Sequence, residues 1–151
     1  MLSLFLKYRI FAGLFSDNYC LGMLSRDYIL RILQTFFDLT AKLFDGKRKT
    51  EEEFELELNQ LYNAYFQKSR AFFMDTLPEE IPAVFEEDAF LLEKNSMLAE
   101  ICYQEYHHAS DEESKRNWGL KAKFLYDYLN NHSTDYSLVY IARSKELEAI
   151  N

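Results

Sequence analysis

The sequence predicts an all-α protein, a helical bundle or helical-hairpin array of about six helices, and three observations carry that prediction. Only four Gly and two Pro occur in 151 residues, too few for a fold built from many tight turns. Apolar side chains recur at three- and four-residue intervals, the period of a helix with one buried face. Helix-start and helix-stop residues stand at the ends of those periodic runs. At this length one domain buries enough surface to fold without a staple.

Taken in order, the first 22 residues are apolar, but Lys7 and Arg9 interrupt the run. A membrane-spanning helix needs about 20 consecutive apolar residues, and a secretory signal needs its charge ahead of an unbroken apolar stretch. Neither pattern is met. Residues 1–22 therefore read as an upstream extension or as a short helix packed on the domain, which spans 23–151. Ser25 is placed to cap a helix carrying Ile29, Ile32, Leu33, Phe36, Phe37, Leu43 and Phe44, and Gly46 to end it. The cations Lys47, Arg48 and Lys49 then meet the negative end of its dipole. Thr50 and Glu53 form a capping box for a second helix expected to reach Asp75 and to bury Phe54, Leu58, Leu61, Tyr65 and Phe72.

Residues 76–94, with Pro78 and Pro82, read as a joint between this N-terminal pair (23–75) and a C-terminal set (95–151). A short helix is expected in FEEDAFLLEK, residues 85–94. Asn95 or Ser96 is placed to cap the next helix, ending near His108. Ser110 restarts the chain into a long helix to about Asn130, and Ser133 or Thr134 caps a last one through Ile150. The acidic clusters Glu51–Glu53, Glu86–Asp88 and Asp111–Glu113 fall in or near first turns, where carboxylates favour the helix dipole. They do not alternate around a central Gly as a calcium loop does.

Within the long helix, Trp118, Ala122, Leu125 and Leu129 form one apolar stripe, while Leu120, Phe124 and Tyr128 form another. A helix apolar on two sides has two neighbours. Leu98, Ile101, Cys102, Glu105 and Ala109 align with Leu138, Ile141, Ala142, Lys145 and Ala149 at an offset of 40 residues. Together these features suggest an A–B–A′ hairpin array and a Glu105–Lys145 pair between its A helices. This half resembles tetratricopeptide repeats, with Leu98-Ala99 in the place of a small-residue contact. The family's proline after the second helix is missing, and its usual period is about 34 residues. On Met23-Leu-Ser-Arg-Asp-Tyr-Ile-Leu-Arg-Ile-Leu-Gln and the helix order, residues 23–150 also resemble a small bacterial family described only as a domain of unknown function. That resemblance implies an all-α fold beginning at Met23 and supplies no catalytic residues.

The segment CYQEYHHASDEES, residues 102–114, concentrates one thiol, two imidazoles and four carboxylates. Glu105 and His108 reproduce one Glu-x-x-His unit of a di-iron bundle, but His132 has Leu129 three residues before it, so the second unit is missing. Zinc at Cys102 with His107 or His108 lacks two further ligands, and Cys20 is the remaining thiol. Cys102 lies in an apolar stripe, where a thiol is inert. No catalytic, cofactor-binding or metal-binding residues are therefore expected.

Residues 1–49 hold eight Lys/Arg against four Asp, a balance of +4, whereas 50–151 hold nine against 21 Asp/Glu, a balance of -12. The overall charge of -8 disfavours nucleic acid and anionic membrane as partners. Two distant cysteines suggest a reducing cytoplasm. Aromatic residues make up 17% of the chain, and Tyr62, Tyr103, Tyr106, Tyr126, Tyr136 and Tyr140 flank the predicted apolar stripes. Tyr is enriched at interface anchors, which makes Tyr103, Tyr106, Tyr126 and Tyr140 the candidate partner-binding residues. The expected function is non-catalytic protein–protein interaction, as scaffold, adapter or self-associating subunit, with a protein, a peptide or a second copy as partner. An enzyme or metal-dependent protein with a site dispersed across helices is the alternative.

Overall fold

The computed structural model describes residues 22–46, 50–134 and 137–150, and the side chains from residue 26 onward. Among them are seven α-helices, one 3-10 turn and no strand. The chain is all-α. It divides into two compact units, Met1–Phe73 and Met74–Asn151. Residues 1–21 with Cys20, the cations at 47–49 and Tyr136 lie outside the described residues.

In the first unit, α1 (Gly22–Asp45) and α2 (Glu51–Phe66) form an antiparallel hairpin. Phe36 meets Tyr65 and Phe66 edge-on at 5.0 and 5.7 Å, and eight residues further on Phe44 meets Phe54 at 5.3 Å. Such edge-to-face pairs add stabilisation beyond the area they bury. Ser25 is not a cap, because the helix starts before it, at Gly22. Thr50 caps α2 as the sequence predicts, its hydroxyl accepting from the Glu53 N–H at 3.2 Å.

The second helix stops nine residues short of Asp75. Gln67 adopts the left-handed conformation, φ 53°, and its N–H closes the last turn on the Asn63 carbonyl. The chain re-enters a helix as α3 (Arg70–Asp75), with the Ser69 hydroxyl accepting from the Phe72 N–H. This break shifts the buried position by one. Phe73 is fully buried against Tyr62 and Phe66, and the predicted core residue Phe72 is exposed instead, with Lys68 over its ring.

The second unit opens with a 3-10 turn (Pro78–Glu80) and the short α4 (Ile81–Val84). Within this segment Ile81 and Phe85 are buried. No separate helix forms over 85–94. Phe85–Phe90 makes a turn, and Leu91 begins α5, which runs to His108. Asn95 and Ser96 are thus buried inside a helix rather than capping one. Caps move elsewhere too: Asp111, not Ser110, caps α6 (Glu112–His132), and Ser137, not Ser133 or Thr134, caps α7 (Leu138–Leu147).

Side-chain pairings give the directions of the last three helices. Tyr103 meets Tyr126, while Tyr106 meets Lys115, so α5 and α6 are antiparallel. Arg143 bonds Tyr126, and Ile150 approaches Gly119, so α7 is antiparallel to α6 and parallel to α5. As expected for a helix apolar on two sides, α6 packs on both neighbours. Trp118, Ala122, Leu125 and Leu129 are buried, and Leu120, Phe124 and Tyr128 half-buried.

Candidate functional site

The four candidate tyrosines converge on the seam of α5, α6 and α7, but not as one exposed groove. Tyr126 is buried. Tyr103 and Tyr140 are half-buried beside it, with ring centroids 6.2 and 5.5 Å from that of Tyr126. Tyr106 is half-buried further along α5, where its ring faces Gly119 and carries the Lys115 ammonium at 5.1 Å. Of the other flanking tyrosines, Tyr62 is fully buried in the first unit.

Arg143 of α7 stands at the centre of the seam. Its guanidinium lies over the Tyr103 ring at 4.2 Å, donates to the Tyr126 hydroxyl at 2.7 Å and pairs with the Glu100 carboxylate. A planar, permanently charged fork suits this combination of stacking and hydrogen bonding. Glu146, one turn along α7, accepts from the Tyr103 hydroxyl at 2.6 Å and lies 3.2 Å from His107 Nε2. Tyr140 and Ser96 share a hydrogen bond of 2.6 Å, and the Ser144 hydroxyl donates to Asp127, which also pairs with Lys123 at 2.7 Å. Burial first, and then the hydrogen bond to Glu146, pushes the Tyr103 hydroxyl up to about 12. Burial and the Glu100 charge push Tyr126 higher still, so both phenols stay protonated at neutral pH and can donate.

The sequence singled out the tyrosines but missed Glu100, Arg143 and Glu146. A 40-residue offset does not describe this seam. Residues that meet across it, Ser96 with Tyr140, Glu100 with Arg143 and Tyr103 with Glu146, are 43 or 44 apart. The difference is one helical turn, across which an apolar stripe still aligns with itself. At the predicted offset, buried Leu98 and Cys102 match exposed Leu138 and Ala142, and buried Glu105 matches exposed Lys145.

The segment 102–114 is a helix end. Cys102 is buried, and its thiol is pushed far up by burial and by the neighbouring Glu105 charge, against a smaller opposing effect of Lys121. His107 and His108 close the last turn of α5, where cationic imidazoles favour the dipole. Asp111 accepts from the Ser114 N–H at 2.9 Å, and that bond holds its carboxyl below the usual range. Among the described residues no group of three or more His, Cys, Asp or Glu is arranged to hold a metal ion.

Two buried lysines lie apart from the seam. Lys121 donates to the Met74 carbonyl at 3.1 Å, beside Asn117, which donates to the same oxygen. Lys94 lies 3.7 Å from Asp88, whose other oxygen accepts from the Phe90 N–H. Burial brings the Lys94 ammonium down to about 8 despite the Asp88 charge.

Outside the seam, α7 turns Leu138, 71% exposed, and Val139, 54% exposed, to solvent. Among the described residues no helix is long and apolar enough to cross a membrane. Compared with family models, curated proteins and solved structures, the chain matches none.

Proposed function

We propose that this chain is a non-catalytic protein–protein interaction module of the cytoplasm, a scaffold, adapter or self-associating subunit, and that it meets its partner on the outer side of α7. The observation that carries this reading is the uncovered first turn of α7. Leu138 and Val139 project from a helix whose inner side packs on α6 and is bonded through side chains to α5. In a helical array that is the face on which the next helix would pack. The likeness of this half to tetratricopeptide repeats supports the same reading. Half-buried Tyr103 and Tyr140 flank the seam with amphipathic rings of the kind found at interface anchors. Buried Tyr126 contributes indirectly, by holding Arg143.

The acidic balance of residues 50–151 favours a basic or mixed partner surface. Affinity capture from the native cell with the wild-type chain and with Leu138→Glu/Val139→Glu tests the proposal. A protein retained by the wild type and lost by the double variant, with the melting temperature unchanged, supports it. The same set of proteins on both baits refutes it.

A further inference from the structure

α7 is ten residues long and buries only Ser144 and Leu147, whereas α5 buries nine residues and α6 seven. An isolated helix of this length is marginal in water, so α7 is helical because it is docked. Its docking is mainly polar. Its polar ties include Ser96–Tyr140, Glu100–Arg143, Tyr126–Arg143, Tyr103–Glu146, His107–Glu146 and Asp127–Ser144, with Arg143 also stacked on Tyr103. Apolar anchoring is limited to the Tyr140 ring against Tyr126 near its start, and to its C-terminal end, where Leu147 is buried and Ile150 reaches Gly119. Water replaces each polar partner when such ties break, so their net contribution is small for their number. Segments with few buried apolar contacts open below the global unfolding free energy.

We propose that α7 is a detachable latch that leaves the α5–α6 pair as one unit while that pair stays folded. The pair keeps Leu98, Ile101, Cys102, Trp118, Ala122 and Leu125 in its core. In leaving, α7 takes Tyr140 with it, uncovers Tyr126 and the ring of Tyr103, and exposes Glu100 without its guanidinium. An acidic, tyrosine-lined surface that is closed in the docked state is thereby presented. The latch opens whether or not a partner reads the outer side of α7, so it stands independently of the proposed function.

Residue-resolved amide hydrogen exchange of the full chain, in denaturant below the unfolding transition, tests this. The α7 amides of residues 142–147 are expected to exchange at one common rate, at least about tenfold faster than the slowest amides of α5 and α6. Arg143→Gln should accelerate them about tenfold further, as loss of hydrogen bonds to a charged group implies, with the slowest α5 and α6 amides unchanged. Equal protection of all three helices in the wild type would overturn the latch, as would graded, unequal rates along α7. An Arg143→Gln effect spread equally over α5, α6 and α7 would also overturn it. The wild-type series decides alone if that variant does not fold.

Discussion

Arg143 donates a hydrogen bond to the buried Tyr126 hydroxyl at 2.7 Å while its guanidinium stacks on Tyr103, joining α7 to both of its neighbours through one side chain. Tyr126→Phe removes that acceptor and leaves the ring. A hydrogen bond to a charged group contributes about 1.5–3 kcal/mol, and Arg143 retains Glu100, so the expected loss is at the lower end. In a double-mutant cycle, Tyr126→Phe and Arg143→Gln should be non-additive by about 1 kcal/mol. Additivity within a few tenths would mean that the contact contributes nothing.

Leu125 lies fully buried in the stripe of α6 that also contains Trp118 and Ala122. Leu125→Ala is expected to cost about 2–5 kcal/mol, the cavity range for a packed core. A loss within about 0.5 kcal/mol, the surface norm, would show that α6 is not the centre of the second unit.

At Gly119 the side chains of Ile150 and Tyr106 come close to the backbone of α6. A Cβ there would collide with Ile150 Cδ1 and lie 2.9 Å from Tyr106 Cδ2. Helix propensity alone favours Gly119→Ala by about 1 kcal/mol, whereas overpacking costs about 1–3 kcal/mol. The variant should therefore melt lower than wild type, and Gly119→Ala/Ile150→Ala should recover part of the loss. A Gly119→Ala variant more stable than wild type would remove this close packing.

Burial brings the Lys94 ammonium down to about 8 in the folded chain, against 10.5 for an unhindered lysine. Between those values the unfolded chain binds more protons, so the Lys94 contribution to stability rises with pH. Cys102 and Tyr126 act oppositely, since their folded values are raised and their contribution falls at alkaline pH. Comparison with Lys94→Met isolates the lysine. From pH 7 to pH 10, wild type should gain on the variant by on the order of 2 kcal/mol. A pH-independent difference would place Lys94 in water.

The helices were legible in the sequence because their signals are local: periodic apolar residues, the Thr50 capping box, and few breakers. Their boundaries were less so. Asn95 and Ser96 have the chemistry of caps, yet packing on every side of the α5 N-terminal turns keeps them inside the helix. Gln67 breaks the second helix with a positive φ that no glycine announces. The seam was half visible. Tyrosines at stripe flanks pointed to Tyr103, Tyr126 and Tyr140, but Arg143, Glu100 and Glu146 are ordinary surface residue types until two parallel helices set their heights. A one-turn error in register hides that relation.

The claim that the outer side of α7 meets a protein partner is tested most directly by a photo-crosslinking amino acid placed at Val139, with a control at exposed Glu52 on α2. On irradiation in the native cell, the account predicts a discrete covalent adduct from position 139 that is absent from position 52. No discrete adduct at 139, or the same products from both positions, would contradict it.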